Sequence, residues 1–168
     1  MDFLTRQIER YQKLGTQGYE TNTTAIANTL LDFAKKTPSH GYIIRDECIM
    51  RAISTVVLAV SENIKADKAV HQETVHPNRV SVIPYEKPVV VVECKHHSNL
   101  NDEFSKDDFD QITQYMIAAK FPNGILLSEF NATVLVGKYS GKIPQIEIVK
   151  DLKLAQNSSE LIEILSEM

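Results

Sequence analysis

Apolar residues recur with a helical period in the first part of this chain and with a strand-like period in most of the rest. In the first 64 residues, Leu4, Ile8 and Tyr11 follow the spacing of one helix face, and longer apolar stripes follow them. This spacing predicts three helices. The first precedes the break at Gly15 and Gly18, the second can be capped by Thr23 or Thr24 and ends within residues 35–41, and the third runs from about Ile44 to Ile64.

Beyond residue 64 the apolar runs become short and rich in β-branched residues. The clearest is Pro88–Lys95, where four consecutive valines favour a central strand that is covered on both faces. The other predicted elements are strands over 69–76, 79–83, 124–130, 132–138 and 143–149, a turn over 84–88, and helices over 106–120 and 158–168.

This order of elements predicts an α/β fold, in which helices flank one central mixed sheet. A length of 168 residues suits a single domain, and we expect an N-terminal helical extension over 1–40 before a main domain over 41–168. The net charge of −4 excludes a broadly basic nucleic-acid-binding surface, but it leaves room for a local site. No segment has the pattern of a signal peptide or a membrane span, so we expect a soluble intracellular protein.

The candidate chemistry lies at the end of the valine-rich strand. Glu93 and Lys95 are two residues apart, so in a strand both side chains leave the same face. One interpretation is an ion pair where the strand meets solvent. The other is a cation site, in which Glu93 and the carbonyl of Cys94 hold a metal while Lys95 stabilises charge on a phosphate. Four histidines fall between His71 and His97, and their spacing matches no zinc motif.

The order of segments around this strand resembles the PD-(D/E)XK nuclease superfamily. The relevant stretches read HPNRVSVIPYEKPVVVVECK, DQITQYMIAAKFPNGILL and SEFNATVLVGKY. Within the superfamily they are most similar to the N-terminal nuclease domain of type I restriction-enzyme motor subunits. That domain has an RPD-like segment, an ExK strand, a QxxxY helix and a following hairpin. The resemblance covers roughly residues 44–140 and implies a restriction-endonuclease-like fold.

The resemblance also implies a function and a site. It implies Mg²⁺-dependent (or Mn²⁺-dependent) hydrolysis of phosphodiesters, with DNA as the expected partner and a homodimer or larger complex as a further expectation. The metal ligands would be Glu93, Cys94 through its carbonyl, and the residue at position 78, with Lys95 placing the nucleophile. Further site residues implied by the family are Gln111 and Tyr115 on the helix, and the acidic Glu47 upstream.

One position departs from the family pattern. The aspartate of the PD pair falls on Asn78, whose neutral oxygen attracts a divalent cation less strongly than a carboxylate does. Three explanations are open: a deliberately inactivated form, a natural loss of catalysis, or another carboxylate such as Glu73 or Glu47 completing the site. The first and third keep the nuclease interpretation. The second makes the chain a non-catalytic module that binds nucleic acid or a protein partner.

Overall fold

A computed structural model describes residues 3–15, 20–49, 65–75 and 84–168 of the chain. Within these ranges the elements, in chain order, are α1 (Phe3–Gly15), α2 (Glu20–Phe33), β1 (Tyr42–Ile49), β2 (Lys65–Val75), β3 (Pro84–Cys94), α3 (Lys106–Ala119), β4 (Asn123–Leu127), β5 (Asn131–Lys138), β6 (Gln145–Lys153) and α4 (Leu154–Glu167). No helix in these ranges is long and apolar enough to cross a bilayer.

The described strands form one six-stranded sheet in the order β1 to β6. All neighbouring pairs are antiparallel except β3 and β4, which run parallel. A parallel pair needs a crossover connection, and α3 supplies it. The mixed α/β fold class predicted from the sequence is therefore confirmed.

Helices cover both faces of the sheet, and the valine-rich strand shows why. Val90 and Val92 point into a core formed with α1, α2 and α4, whereas Val91 points into a second core beneath α3. A central strand with two covered faces needs apolar side chains on both, which explains the unbroken valine run. Leu4 and Ile8 of α1 belong to the first core. The two N-terminal helices therefore pack on the sheet, while the division at residues 40/41 stays a prediction.

The predicted helix from Ile44 to Ile64 is wrong where the structure describes it. Residues 42–49 form β1, which pairs with β2 in a register that places Ile44 opposite Val70. The apolar residues of this segment pack through cross-strand pairing with β2 and not along one face of a helix. Tertiary contacts therefore decide the conformation. The rest of that prediction, together with the predicted strand over 79–83, lies outside the described residues.

The predicted turn over 84–88 is also wrong, because these residues form the first half of β3. The sheet accommodates Pro88 at an irregularity: Val70 pairs with Val90 and His71 pairs with Pro88, so β3 carries one extra residue there. Proline cannot donate to the sheet's hydrogen bonds and is tolerated at such a bulge. The remaining predicted strands and helices are present, with shifted ends. Thr23, expected as a helix cap, lies inside α2 instead.

Candidate active site

The site is built on the last residues of β3. Glu93 is almost completely buried, with 5% of its side chain exposed, and its Oε1 lies 3.0 Å from Nζ of Lys95. The backbone N–H of Lys95 donates to the carbonyl of Leu127 at 2.8 Å, which extends the pairing between β3 and β4 by one residue. The predicted same-face arrangement of the two charged side chains is therefore present. Taken alone, this contact fits a simple ion pair.

A second carboxylate, which the sequence analysis missed, completes the acidic part of the site. Asp67 lies on β2, one step beyond the pair formed by Lys68 and Val92, and so next to the end of β3. Its Oδ2 accepts a hydrogen bond of 2.7 Å from the backbone N–H of Cys94. The available signal was the pair of charged residues, Asp67 and Lys68, between the small apolar residues of segment 66–70. The strand predicted from the sequence begins at residue 69, so Asp67 falls outside it and was not considered as a site residue.

Electrostatics show that the two carboxylates interact. Burial is the largest cause that raises the pKa of Glu93 to about 7, and the charge of Asp67 raises it further, while Lys95 acts in the opposite direction. The Oε2 atom of Glu93 is buried and has no hydrogen-bond partner among the described residues. A buried carboxylate oxygen without a partner is costly unless a cation binds it.

These groups fit a divalent cation such as Mg²⁺. The described residues contain no group of three His, Cys, Asp or Glu side chains that would enclose a metal by themselves. Mg²⁺ does not require one, because proteins commonly hold it through one or two carboxylates and leave the other positions to water and phosphate. Asp67 and Glu93 supply the carboxylates. The orphaned Oε2 atom of Glu93 supplies a free ligand atom.

Helix α3 contributes the polar neighbours of Lys95. Oε1 of Gln111 accepts a hydrogen bond of 2.7 Å from Nζ of Lys95, and its Nε2 donates to the hydroxyl of Tyr115 at 2.5 Å. Asp108 lies 3.6 Å from the same ammonium group and also caps α3 with Ser105. Burial alone lowers the pKa of Lys95, but Glu93, Asp108 and Asp67 outweigh it, so the pKa is raised and the group stays charged.

The structure thus brings together Glu93, Lys95, Gln111 and Tyr115 from the predicted set. Cys94 lies between the two charged residues. Its thiol is buried and burial raises its pKa, so it is a poor nucleophile. Asn78 lies outside the described residues.

Of the two other acids considered, Glu73 is exposed and pairs with Glu86, well along β2 from Asp67. Glu47 lies in β1 rather than in a helix. Its backbone position falls between Asp46, which pairs with Lys68, and Cys48, which pairs with Ala66. The site role of Glu47 stays a prediction.

A further buried carboxylate supports the loop after Lys95. The Oε1 atom of Glu129 accepts a hydrogen bond of 2.7 Å from Nδ1 of His96, and its Oε2 accepts one of 2.8 Å from the backbone N–H of His97. The ring of His97 packs against Phe104, with 4.8 Å between ring centroids. Sequence reasoning found no role for Glu129, because its contacts arise only when the β4–β5 turn is folded against this loop.

Comparison with known proteins gives a structural likeness. No protein-family model matches the chain, and no curated protein matches it. Among solved structures, the chain is similar to a chain in an electron cryomicroscopy structure of a DrdV–DNA complex, with a TM-score of 0.58 and 16% sequence identity. The match covers 98% of this chain and 14% of the other. The chain therefore has the fold of a segment of a DNA-bound protein, about one seventh of that protein's length.

Proposed function

We propose that this chain is a metal-dependent nuclease domain of the PD-(D/E)XK type that hydrolyses phosphodiester bonds in DNA. The observation that carries the proposal is the position of Asp67. It places a second carboxylate beside Glu93, on the side of the sheet where Lys95 meets Gln111. An ion pair that only stabilised the fold would need neither this second acid nor a buried oxygen left without a partner.

In this proposal some site residues bind the metal, and others position the groups that contact the phosphate. Asp67 and Glu93 would hold a Mg²⁺ ion, with the carbonyl of Cys94 as a further ligand. A metal held by these residues would lower the pKa of a water molecule and neutralise charge on the phosphate. Lys95 presents an ammonium group to the attacking oxygen or to the phosphate, and Gln111 fixes the direction of that group. Tyr115 in turn fixes Gln111.

Two observations support a nucleic-acid phosphodiester as the substrate, and the first of them favours DNA. The structural neighbour is part of a DNA complex. In addition, the candidate site combines carboxylates, which could hold a metal, with a charged lysine, which could stabilise a phosphate. The match covers only 14% of that neighbour's chain, so the neighbour's activity as a whole is not carried over to this chain. Whether the chain forms a homodimer stays a prediction.

The alternative is a non-catalytic module on the same fold, which Asn78 suggested. That hypothesis assumed that the site lacks its second carboxylate. Asp67 supplies a carboxylate from β2, so substitution of the PD aspartate at position 78 no longer implies loss of catalysis. We therefore favour the nuclease hypothesis. The cleavage assay described next also tests the alternative, a non-catalytic binding module.

The test is cleavage of supercoiled plasmid and single-stranded DNA by the intact chain with Mg²⁺ or Mn²⁺. Lys95→Ala is expected to lower the rate about 100-fold, as the loss of one charge-stabilising donor does in other enzymes. Lys87→Ala, which removes an exposed lysine from the same strand, is the matched control and should leave the rate unchanged. Cleavage that persists in EDTA, or an active Lys95→Ala variant, would contradict the proposal. An inert wild type that still binds DNA would favour the binding module.

A further inference from the structure

The residues that follow Lys95 are held by a carboxylate from another part of the chain. Glu129, in the turn between β4 and β5, is completely buried. Both of its carboxylate oxygens are used, one by the ring of His96 and one by the backbone N–H of His97. Hydrogen bonds to an ionised acceptor are roughly twice as strong as neutral ones. The carboxylate therefore anchors the segment that leaves the active-site strand.

The turn that carries Glu129 is itself well fixed. The backbone N–H of Ser128 donates to the carbonyl of Asn131 at 2.8 Å, and the Ser128 hydroxyl accepts from the backbone N–H groups of Phe130 and Asn131. The side chain of Asn131 donates to the carbonyl of Asp102, farther along the same loop, at 3.1 Å. The turn thus contacts the loop at two places, through Glu129 and through Asn131. These contacts and the hydrogen bonds of Ser128 fix the position of the Glu129 carboxylate.

The N-terminal helices reach the same strand end from the other direction. Nε2 of Gln12, on α1, donates to the carbonyl of Glu129 at 2.9 Å. The hydroxyl of Thr23, a completely buried residue of α2, donates to the carbonyl of Lys95 at 3.1 Å. Because the N–H of Lys95 is bound to Leu127, the backbone of Lys95 is held on both sides.

We propose that Glu129 and Thr23 are positioning residues for the catalytic strand end. They hold the backbone at residues 95–97, and so keep the Glu93 carboxylate, the Cys94 carbonyl and the Lys95 ammonium in one arrangement. The last residues of a strand fray most readily, and small displacements of reacting groups are costly in rate. This inference rests on the proposed function, and it gives the N-terminal helices a part in it.

Thr23 allows a test with a conservative rescue. Thr23→Val removes the hydroxyl at nearly constant volume, and Thr23→Ser restores it. Thr29→Val is the matched control, because the Thr29 hydroxyl donates only within α2, to the carbonyl of Ala25. We expect Thr23→Val to lower kcat for duplex cleavage about 10-fold, the usual effect of losing a supporting contact around a metal site. KM should stay within about twofold, because ground-state binding is not changed. Thr23→Ser and Thr29→Val should match the wild type.

Glu129 allows a test that does not depend on cleavage. Calorimetric titration with Mn²⁺ measures metal binding by the intact chain without DNA. Glu129→Gln should weaken that binding about 10-fold. Its control is Glu86→Gln, which breaks the ion pair with Arg45 at the other end of β3. Thermal melting of each variant ensures that folded protein is compared.

The outcomes separate the two proposals. A wild type that binds Mn²⁺ but cuts no DNA would refute the proposed function, and the Mn²⁺ titration would still decide the positioning role. An active wild type whose Glu129→Gln and Thr23→Val variants match it in kcat and Mn²⁺ affinity would refute the positioning role alone. A wild type that binds no Mn²⁺ would count against both.

Discussion

Replacing Glu93 with glutamine should change how the stability of the metal-free protein depends on pH. In the folded protein, burial and the charge of Asp67 raise the pKa of Glu93 from 4.5 to about 7. The unfolded chain lacks both effects, so its glutamate ionises at lower pH. Between these two pKa values the unfolded state has released the proton while the folded state retains it. Stability is therefore greatest below the unfolded pKa and falls as pH rises through about 7.

The magnitude follows from the difference between the two pKa values. Raising a pKa from 4.5 to about 7 corresponds to about 3 kcal/mol of unfolding free energy, most of it lost between about pH 5 and about pH 8. Little solvent screening is expected, because only 5% of the Glu93 side chain is exposed. Glutamine has the same shape and no titrating proton, so the variant should lack this part of the pH dependence.

The assay is urea unfolding of the wild type and Glu93→Gln in buffers with EDTA, from about pH 5 to about pH 8. The effect of Lys95 is already contained in the pKa of Glu93, so the test compares how steeply the unfolding free energy of each protein changes with pH. We expect the wild type to lose about 2 kcal/mol more than the variant across this range. Adding Mg²⁺ to the wild type at the upper pH should recover stability. Parallel curves for the two proteins would refute the electrostatic account of the site.

Four further substitutions test the supports of the site and of the fold. Lys68 is 1% exposed and pairs with Asp46, which is 72% exposed, so Lys68→Met should be neutral or stabilising. Asp46→Asn leaves the buried ammonium without a negatively charged partner and should cost about 1–3 kcal/mol in urea unfolding. Gly124→Ala should cost a similar 1–3 kcal/mol in the same assay, because its added carbon would lie 2.5 Å from the sulfur of Met116. Gln111→Ala should lower the cleavage rate about 10-fold with little change in stability.

The valine-rich strand and the groups attached to it were predictable from the sequence. The unbroken valines marked a strand covered on both faces, and the period of two placed Glu93 beside Lys95. The i, i+4 spacing of Gln111 and Tyr115 placed their side chains next to each other on one helix face. These relations are local, so a pattern within a few residues contains all the information that they need.

What was missed depends on pairing between distant segments. Asp67 joins Glu93 only because β2 runs antiparallel to β3 in one particular register. A short polar-apolar run does not specify that register. Glu129 meets His96 only through the folded β4–β5 turn, 33 residues along the chain. The local apolar spacing predicts a helix over the residues of β1. They form a strand because pairing with β2 outweighs that local preference.

The proposed site depends on Asp67, rather than residue 78, for its second carboxylate. The most direct measurement compares Mg²⁺-dependent DNA cleavage by the wild type, Asp67→Asn and Asn78→Asp, each shown to be folded. We expect the unmodified chain to cut DNA, Asp67→Asn to lower the rate at least about 100-fold, and Asn78→Asp to change the rate little. Undiminished cleavage by Asp67→Asn, or cleavage that appears only in Asn78→Asp, would show that Asp67 is not the second carboxylate of the site.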